Sequence, residues 1–470
     1  MSHARPTPRD SEREFHIDEL FFSTTDLKGH IDAGNATFAR IAGYTLAELV
    51  GEPHNIIRHP DMPRAVFELL WRKIQAGEPV AAYVKNMAKD GGYYWVMALV
   101  LPIDRGYLSV RLKPTSPVFQ SIPSVYAGLL AHEQGVEKRT GKRKDSIEAG
   151  LSKLTDTLSG LGFAEYEDFM WTALRAEMAS REAALVNLER SGLGFTGSME
   201  DPPSTLSGLL ARCESLRCGL KELFADIEGL SSLGGRLVEE SQFIRAWARD
   251  IRMMALNAQI QSSQLSGSGE ALGVVAEWIG RTSDEASESM GRFDEQAKSL
   301  GRPLRHAISS IIAGKLEVDV VREFLLEIAA DTEDPRTEFR LDRPTTATEK
   351  SCAILLKTFL RSTHALPETL RNLESELKTL DNETEEIAKH VRTLELIPLT
   401  GKVEAAREEA ARSFTSIFET LGSRVAETRT RLESFASDVQ DYVDQQRSLQ
   451  SVLRRLERHS VEVEGLGKAA

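Results

Sequence analysis

The run His54–Pro63 (HNIIRHPDMP) concentrates two imidazoles, a guanidinium and a carboxylate in a segment stiffened by Pro60 and Pro63. Arg58 is a permanent cation, His59 a titratable imidazole and Asp61 an acceptor. A rigid loop with those groups suits the polar part of a cofactor, because a guanidinium forks onto phosphate while imidazole and carboxylate hold a hydroxylated chain. The same residues also describe a turn closed by a surface ion pair.

Ser23–Ile31 reads as a turn between two short strands, cornered at Gly29. Asn35–Val50 has helical spacing, broken at Gly43 and restarted by a Thr45 cap with Glu48 three positions on. Arg64–Gln75 is a short amphipathic helix begun by Pro63. Three strand-like runs follow, Ala81–Met87, Tyr93–Ile103 and Tyr107–Leu112, the first two joined by a hairpin turn at Lys89–Gly92.

Two strands, short helices and three more strands describe a small antiparallel sheet with helices on one face, the PAS pattern. Residues 19–120 resemble the sensory PAS domain of the bacterial aerotaxis receptor family through STTDLKGHI, the run Asn35–Trp71, GEPVAAYVKN and GGYYWV. PAS domains of that family sense through FAD. The resemblance puts the flavin-contacting positions on Asn35, Arg58, His59, Asp61, Phe67, Trp71 and Asn86. Asn35 and Asn86 would serve the pyrimidine edge of the ring, while Phe67 and Trp71, four apart on one helix face, would wall it. Each also has a plainer reading: Phe67 and Trp71 as core, Asn35 as a helix cap, His59 as a structural imidazole. Haem b is the rival cofactor, with His54 and His59 as candidate axial ligands. A cofactor-free PAS domain that docks or dimerises is the third reading.

The chain of 470 residues has room for two to four domains, and 27% charged against 7% aromatic residues points to long solvent-facing helices after the first. A net charge of −13 argues against nucleic acid as partner. The basic cluster Glu137–Lys144 reads as a solvated helix end or linker. No run of eighteen apolar residues and no apolar leader occur, so a cytoplasmic protein without a membrane span is expected. Cys213, Cys218 and Cys352 show no metal or disulfide spacing.

Residues 1–18 read as a flexible lead-in, 121–192 as connecting helices (Tyr126–Ser159 and Ala164–Arg190), 204–330 as one helical hairpin, 331–347 as a linker and 348–464 as a second hairpin. Within the first, Ala255-Leu256-Asn257-Ala258, Ile260 and Val274–Glu277 resemble the signalling tip of methyl-accepting chemotaxis proteins, with Ser266–Gly269 as the turn. Where that family carries the Glu and Arg that engage its histidine kinase and coupling protein, this chain has Gln261 and Gln264, which puts control of the kinase in doubt. A fainter copy around Val403, Glu404 and Arg407 lies 143 residues later (403 − 260).

The expected architecture is therefore an α+β PAS domain followed by all-α antiparallel hairpins, two fused in one chain as a coiled-coil four-helix bundle, a pseudo-dimer. The expected function is redox or oxygen sensing through FAD, signalled through a chemotaxis-receptor-like bundle. The alternative is a cofactor-free or haem-binding scaffold with helical protein partners, able to dimerise through its PAS domain. No P-loop, kinase glycine loop or nucleophile–base set is present, so an enzyme is not expected.

Overall fold

A computed structural model describes residues 6–190, 206–225, 227–263, 270–331, 347–364, 366–406, 415–441 and 454. The chain divides into two compact units, 1–220 with 312–363 and 458–470, and 221–311 with 364–457. The division departs from the two-hairpin expectation, because residues 312–331 and 347–363 belong with the N-terminal unit.

Strands β1 (Phe21–Asp26), β2 (Ile31–Gly34), β3 (Val80–Met87), β4 (Tyr93–Ile103) and β5 (Gly106–Leu112) form one antiparallel sheet in the order β2-β1-β5-β4-β3. Between β2 and β3 come α1 (Ala36–Ala42), α2 (Leu46–Leu49), a 3-10 turn at His54–Ile57 and α3 (Arg64–Gln75). The Thr45–Glu48 capping box is made, and Gly43 ends α1 in the left-handed region. Alternation along the strands sends one set of side chains, including Arg111, Ser109, Ala98 and Asn86, toward these helices.

The opposite sheet face is covered by α4 (Ile122–Thr140), α6 (Tyr166–Arg190) and the end of α9 (Glu270–Asp331). Trp95 packs against Phe119 and Tyr126, and Phe22 meets Phe324 edge-on at 5.0 Å. Buried Glu177 on α6 accepts from Tyr83 Oη (2.7 Å), the Thr115 and Ser116 amides (2.6 and 2.8 Å) and Ser116 Oγ (2.7 Å). It ties β3 to the segment leaving β5. Glu327 Oε1 accepts from Thr37 N (3.0 Å) and Oγ1 (2.8 Å), fixing α9 at the start of α1.

Two expectations are corrected here. Residues 9–15 are held rather than loose: Arg9 N donates to Gly91 O, Arg13 N to Tyr93 O, and Phe15 packs edge-on against Phe21. Backbone groups at the β3–β4 hairpin give this polar segment a ladder that its composition does not advertise. The single segment expected over Tyr126–Ser159 is two helices, α4 and α5 (Arg143–Gly160), because Gly141 caps α4 with φ +68°.

After α7 (Leu206–Ala225), the second unit is built from α8 (Ile227–Ser263), most of α9, α11 (Leu366–Ala406, following α10, Ala347–His364) and helical residues 415–441. Neighbours are tied in a ring. Ser241 of α8 bonds Asp294 of α9, and Arg292 of α9 pairs with Glu383 of α11 at 3.1 Å. Glu395 of α11 pairs with Arg429 at 2.8 Å, and Arg431 returns to Glu240 of α8 through two bonds of 2.8 and 3.1 Å. Phe293 and Phe435, both fully buried, meet edge-on at 5.8 Å inside this ring. At Gly401 the ring of Phe418 comes so close that a Cβ would not fit. Among the described residues, no helix is long and apolar enough to cross a membrane.

Candidate functional site

A cavity of about 240 Å³ lies between the helix-facing side of the sheet and the segment running from the 3-10 turn through α3. Its walls include Phe67, Leu70, Trp71 and Ile74 from α3, Val84 and Asn86 from β3, Ala98 and Val100 from β4, and Tyr107, Ser109 and Arg111 from β5. Trp71 meets Tyr107 edge-on at 5.7 Å. Gly29, at φ +84°, closes the mouth; a Cβ there would lie 2.9 Å from the Trp71 indole, so the corner needs glycine for conformation and for space.

The structure brings four of the seven expected cofactor residues to this cavity: Arg58, Phe67, Trp71 and Asn86. The Arg58 guanidinium stacks over the Phe67 ring at 4.0 Å and donates to Met62 O at 3.2 Å. Asn86 is only 3% exposed, and its Nδ2 has no hydrogen-bond partner. Asn86 thus leaves one buried amide donor unsatisfied beside the cavity, which is costly in a folded protein.

The other three expected residues do not line it. Asn35 is spent as the cap of α1: its Oδ1 accepts from Phe22 N and Phe38 N, and its Nδ2 donates to Leu20 O. His59 is buried, accepts from Asp61 N at 3.1 Å through Nδ1, and lies edge-on to Tyr93. Asp61 pairs with Lys85 at 2.7 Å on the surface. Arg58 bridges to Asn86, and His59 N donates to Lys85 O, so the loop caps the exposed edge of β3. His59 and Asp61 thus hold the loop that presents Arg58.

A cluster that motif reading missed sits on the β1–β5 side. Arg111 is 2% exposed, its NH2 lying 3.0 Å from Ser23 Oγ and 2.6 Å from His54 Nε2. His54 stacks on Phe38 at 6.2 Å, and Phe38 also lies beside the guanidinium. Burial, with Arg111 adjacent, drives the His54 pKa down to about 3. The imidazole is therefore neutral, with Nε2 as acceptor. Burial also lowers the Arg111 pKa to about 10, which still leaves a cation at neutral pH. The available signal was the alternation in GYLSVRL, which puts an arginine on the inward face beside Ser109 and Tyr107.

In the helical half, Leu256, Asn257 and Ile260 of α8 and Val403 of α11 are exposed, and Gln261 keeps a buried Oε1 without a partner. Glu404 lies in α11, while Gln264, Arg407 and the expected turn Ser266–Gly269 fall outside the described residues. The two segments carry the same exposed triad. Met253, Leu256 and Ile260 recur as Leu396, Leu399 and Val403, each 143 positions on (403 − 260), and all six are between 46% and 65% exposed. Flanking positions Ile244, Ile251 and Ala258 correspond in the same register to buried Ile387, Leu394 and Gly401.

Residues 32–109 match the family model described as PAS fold. The N-terminal region is accordingly a PAS domain, carrying the five-stranded sheet and the cavity described above. Over 139 residues the chain is 42% identical to the aerotaxis receptor of Escherichia coli (strain K12), covering 28% of this chain and 26% of the receptor. It is 30% identical over 81 residues to a nitrogen fixation regulatory protein of Klebsiella pneumoniae, 17% of this chain and 16% of that one. The chain thus spans about a quarter or less of the length of these curated relatives. Similar solved structures include a Colwellia psychrerythraea PAS domain (22% identity, 20% of this chain and 85% of that one, TM-score 0.18). The light-state Aureochrome1 LOV photoreceptor is another (22% identity, 24% and 90%, TM-score 0.20).

Proposed function

We propose that this protein is a redox or oxygen sensor of aerotaxis-receptor type, whose PAS domain holds FAD and whose helices transmit the state of the ring. The observation that carries the reading is the cavity itself. It combines an aromatic wall at Phe67 and Trp71, a buried amide nitrogen without a partner at Asn86, and the Arg58 guanidinium on one lining. Phe67 and Trp71 would sandwich or edge the ring, Asn86 would donate to its polar rim, and Arg58, with exposed Lys28, would meet the phosphates. In this reading the cavity would receive the ring system, and the rest of a dinucleotide would lie outside it. When bound, the flavin would supply reversible electron transfer.

Haem fits the residues less well. The His54 Nε2 faces a guanidinium at 2.6 Å, and His59 is outside the cavity lining. A cation at that distance opposes a metal ion on the same nitrogen.

In this reading the sheet passes the change in the cavity to its opposite face, where Glu177 and Glu327 hold the helices. The second unit would be an intramolecular four-helix bundle, two receptor-like hairpins on one chain. Support comes from the ring of contacts and the triad repeated at 143 positions. The protein would then act by binding and signalling and would catalyse no turnover. The exposed apolar triads favour a second role for the helical half as a docking scaffold for helical proteins; the glutamines at the first tip argue against direct kinase control.

The test is the visible absorption spectrum of purified protein, before and after reconstitution with FAD and with haem. A two-banded flavin spectrum that bleaches on reduction is the expected result. A Soret band, or a featureless spectrum after both reconstitutions, overturns the reading.

A further inference from the structure

The charges lining the cavity are one-sided. Lys28, Arg58 and Arg111 are basic, His54 is neutral, and no carboxylate appears on the walls among the described residues. Lys28 is exposed and Arg58 half-buried, so water screens them. Arg111 is different, because it is enclosed by Phe21 and Phe38, with its guanidinium carbon 5.8 and 5.3 Å from their ring centres. Its hydrogen bonds go to neutral acceptors, Ser23 Oγ at 3.0 Å, His54 Nε2 at 2.6 Å and Ser109 O at 3.5 Å. Among the described residues, no acid pairs with it.

An enclosed cation without a counter-ion is costly, and proteins ordinarily supply a carboxylate beside it. Here the open side of the group is the cavity, and the neighbours that could have been acidic are a serine, a histidine and a second serine. The missing negative charge must then come from what the cavity receives.

We propose that Arg111 is the counter-charge for the bound flavin ring, selecting its anionic reduced form. The inference rests on the flavin reading above and adds which protonation state the site favours and which residue selects it. In terms of balance, the oxidised ring takes up two electrons and one proton to give the anion, or two electrons and two protons to give the neutral reduced form. A fixed cation beside the ring stabilises the first product over the second and makes reduction easier. Ser23 and neutral His54 orient the guanidinium by accepting from it, which makes them positioning residues. Arg58 and Lys28 lie on the screened side, where in the flavin reading they would face the phosphates.

The test is a potentiometric titration of the FAD-reconstituted full-length protein at several pH values, with mediator dyes carrying the electrons. Wild type is expected to take up one proton for every two electrons across neutral pH. Arg111→Met is expected to have a more negative midpoint potential and to move toward two protons per two electrons; Arg111→Lys, which keeps the charge, should remain near wild type. If Arg111→Met does not fold, the wild-type proton count still tests the inference. A wild-type count of two protons overturns the inference. So does flavin-loaded Arg111→Met with an unchanged potential and count, and both outcomes leave the flavin reading standing. Failure of the wild-type protein to take up flavin at all would instead overturn the flavin reading, and the inference with it.

Discussion

His54 Nε2 lies 2.6 Å from the Arg111 guanidinium, a distance at which the imidazole can only accept. The folded protein must therefore keep His54 unprotonated, with a pKa near 3 against 6.5 for an ordinary imidazole. Between those values the unfolded chain binds more protons than the native one, so the native state loses stability as pH falls. The contribution is whole above about pH 6.5 and shrinks toward pH 3, by a few kcal/mol at most. His54→Gln, which can still accept from Arg111, should flatten the decline in melting temperature over that window. An identical decline in both proteins would show that His54 is not its source.

Glu177 carries four hydrogen bonds in a fully buried position, two of them from backbone amides that have lost water. Glu177→Gln keeps an oxygen for the two amides but removes the charge from the network and makes the Tyr83 and Ser116 hydroxyls accept from its nitrogen instead of donating. A loss of about 2 kcal/mol is expected. Chemical denaturation of the full chain measures it, and a loss below about 0.5 kcal/mol would mean the bonds are dispensable.

Asn86 and Trp71 should separate binding from folding. Because Asn86 Nδ2 has no partner in the protein, Asn86→Ala should leave the melting temperature of the flavin-free protein nearly unchanged. Flavin affinity should fall about tenfold, the worth of one buried hydrogen bond. Trp71→Ala should cost more, since it removes a wall as well. Fluorescence titration with FAD reads both.

The pair Glu240–Arg431 joins α8 to residues 415–441 by two hydrogen bonds, with Arg431 also lying 3.9 Å over the Phe243 ring. Lysine cannot reproduce that fork. Arg431→Lys should cost about 1–2 kcal/mol, and a double-mutant cycle with Glu240→Gln should show coupling of similar size. Additive losses would mean that the two side chains do not interact in solution.

Much of the PAS domain was legible in its sequence. The α3 boundaries, the β4 run and the Thr45 capping box follow from periodicity and cap chemistry, local signals that tertiary contacts reinforce. The loop that drew attention first contributes one arginine to the cavity and uses its histidine and aspartate to hold itself. Residue types announce chemical capacity but not direction, and the difference between Arg58 and His59 is a matter of which side of the β3 edge each faces. Arg111 was harder to see for the opposite reason. It stands alone in an apolar strand, and its partners Ser23 and His54 come from distant segments brought together only by the sheet order. The Gly141 break was hidden in a charged run whose composition suits a continuous exposed helix equally well.

The triads at Met253, Leu256, Ile260 and at Leu396, Leu399, Val403 lie on a single polypeptide. In a symmetric homodimer one codon sets both copies of every surface, so a mutation strikes twice or not at all. Here each patch is encoded separately. The two are therefore free to drift apart under selection. Genetic dissection gains the same freedom: each patch can be altered alone in a haploid cell, with the intact patch as its internal control.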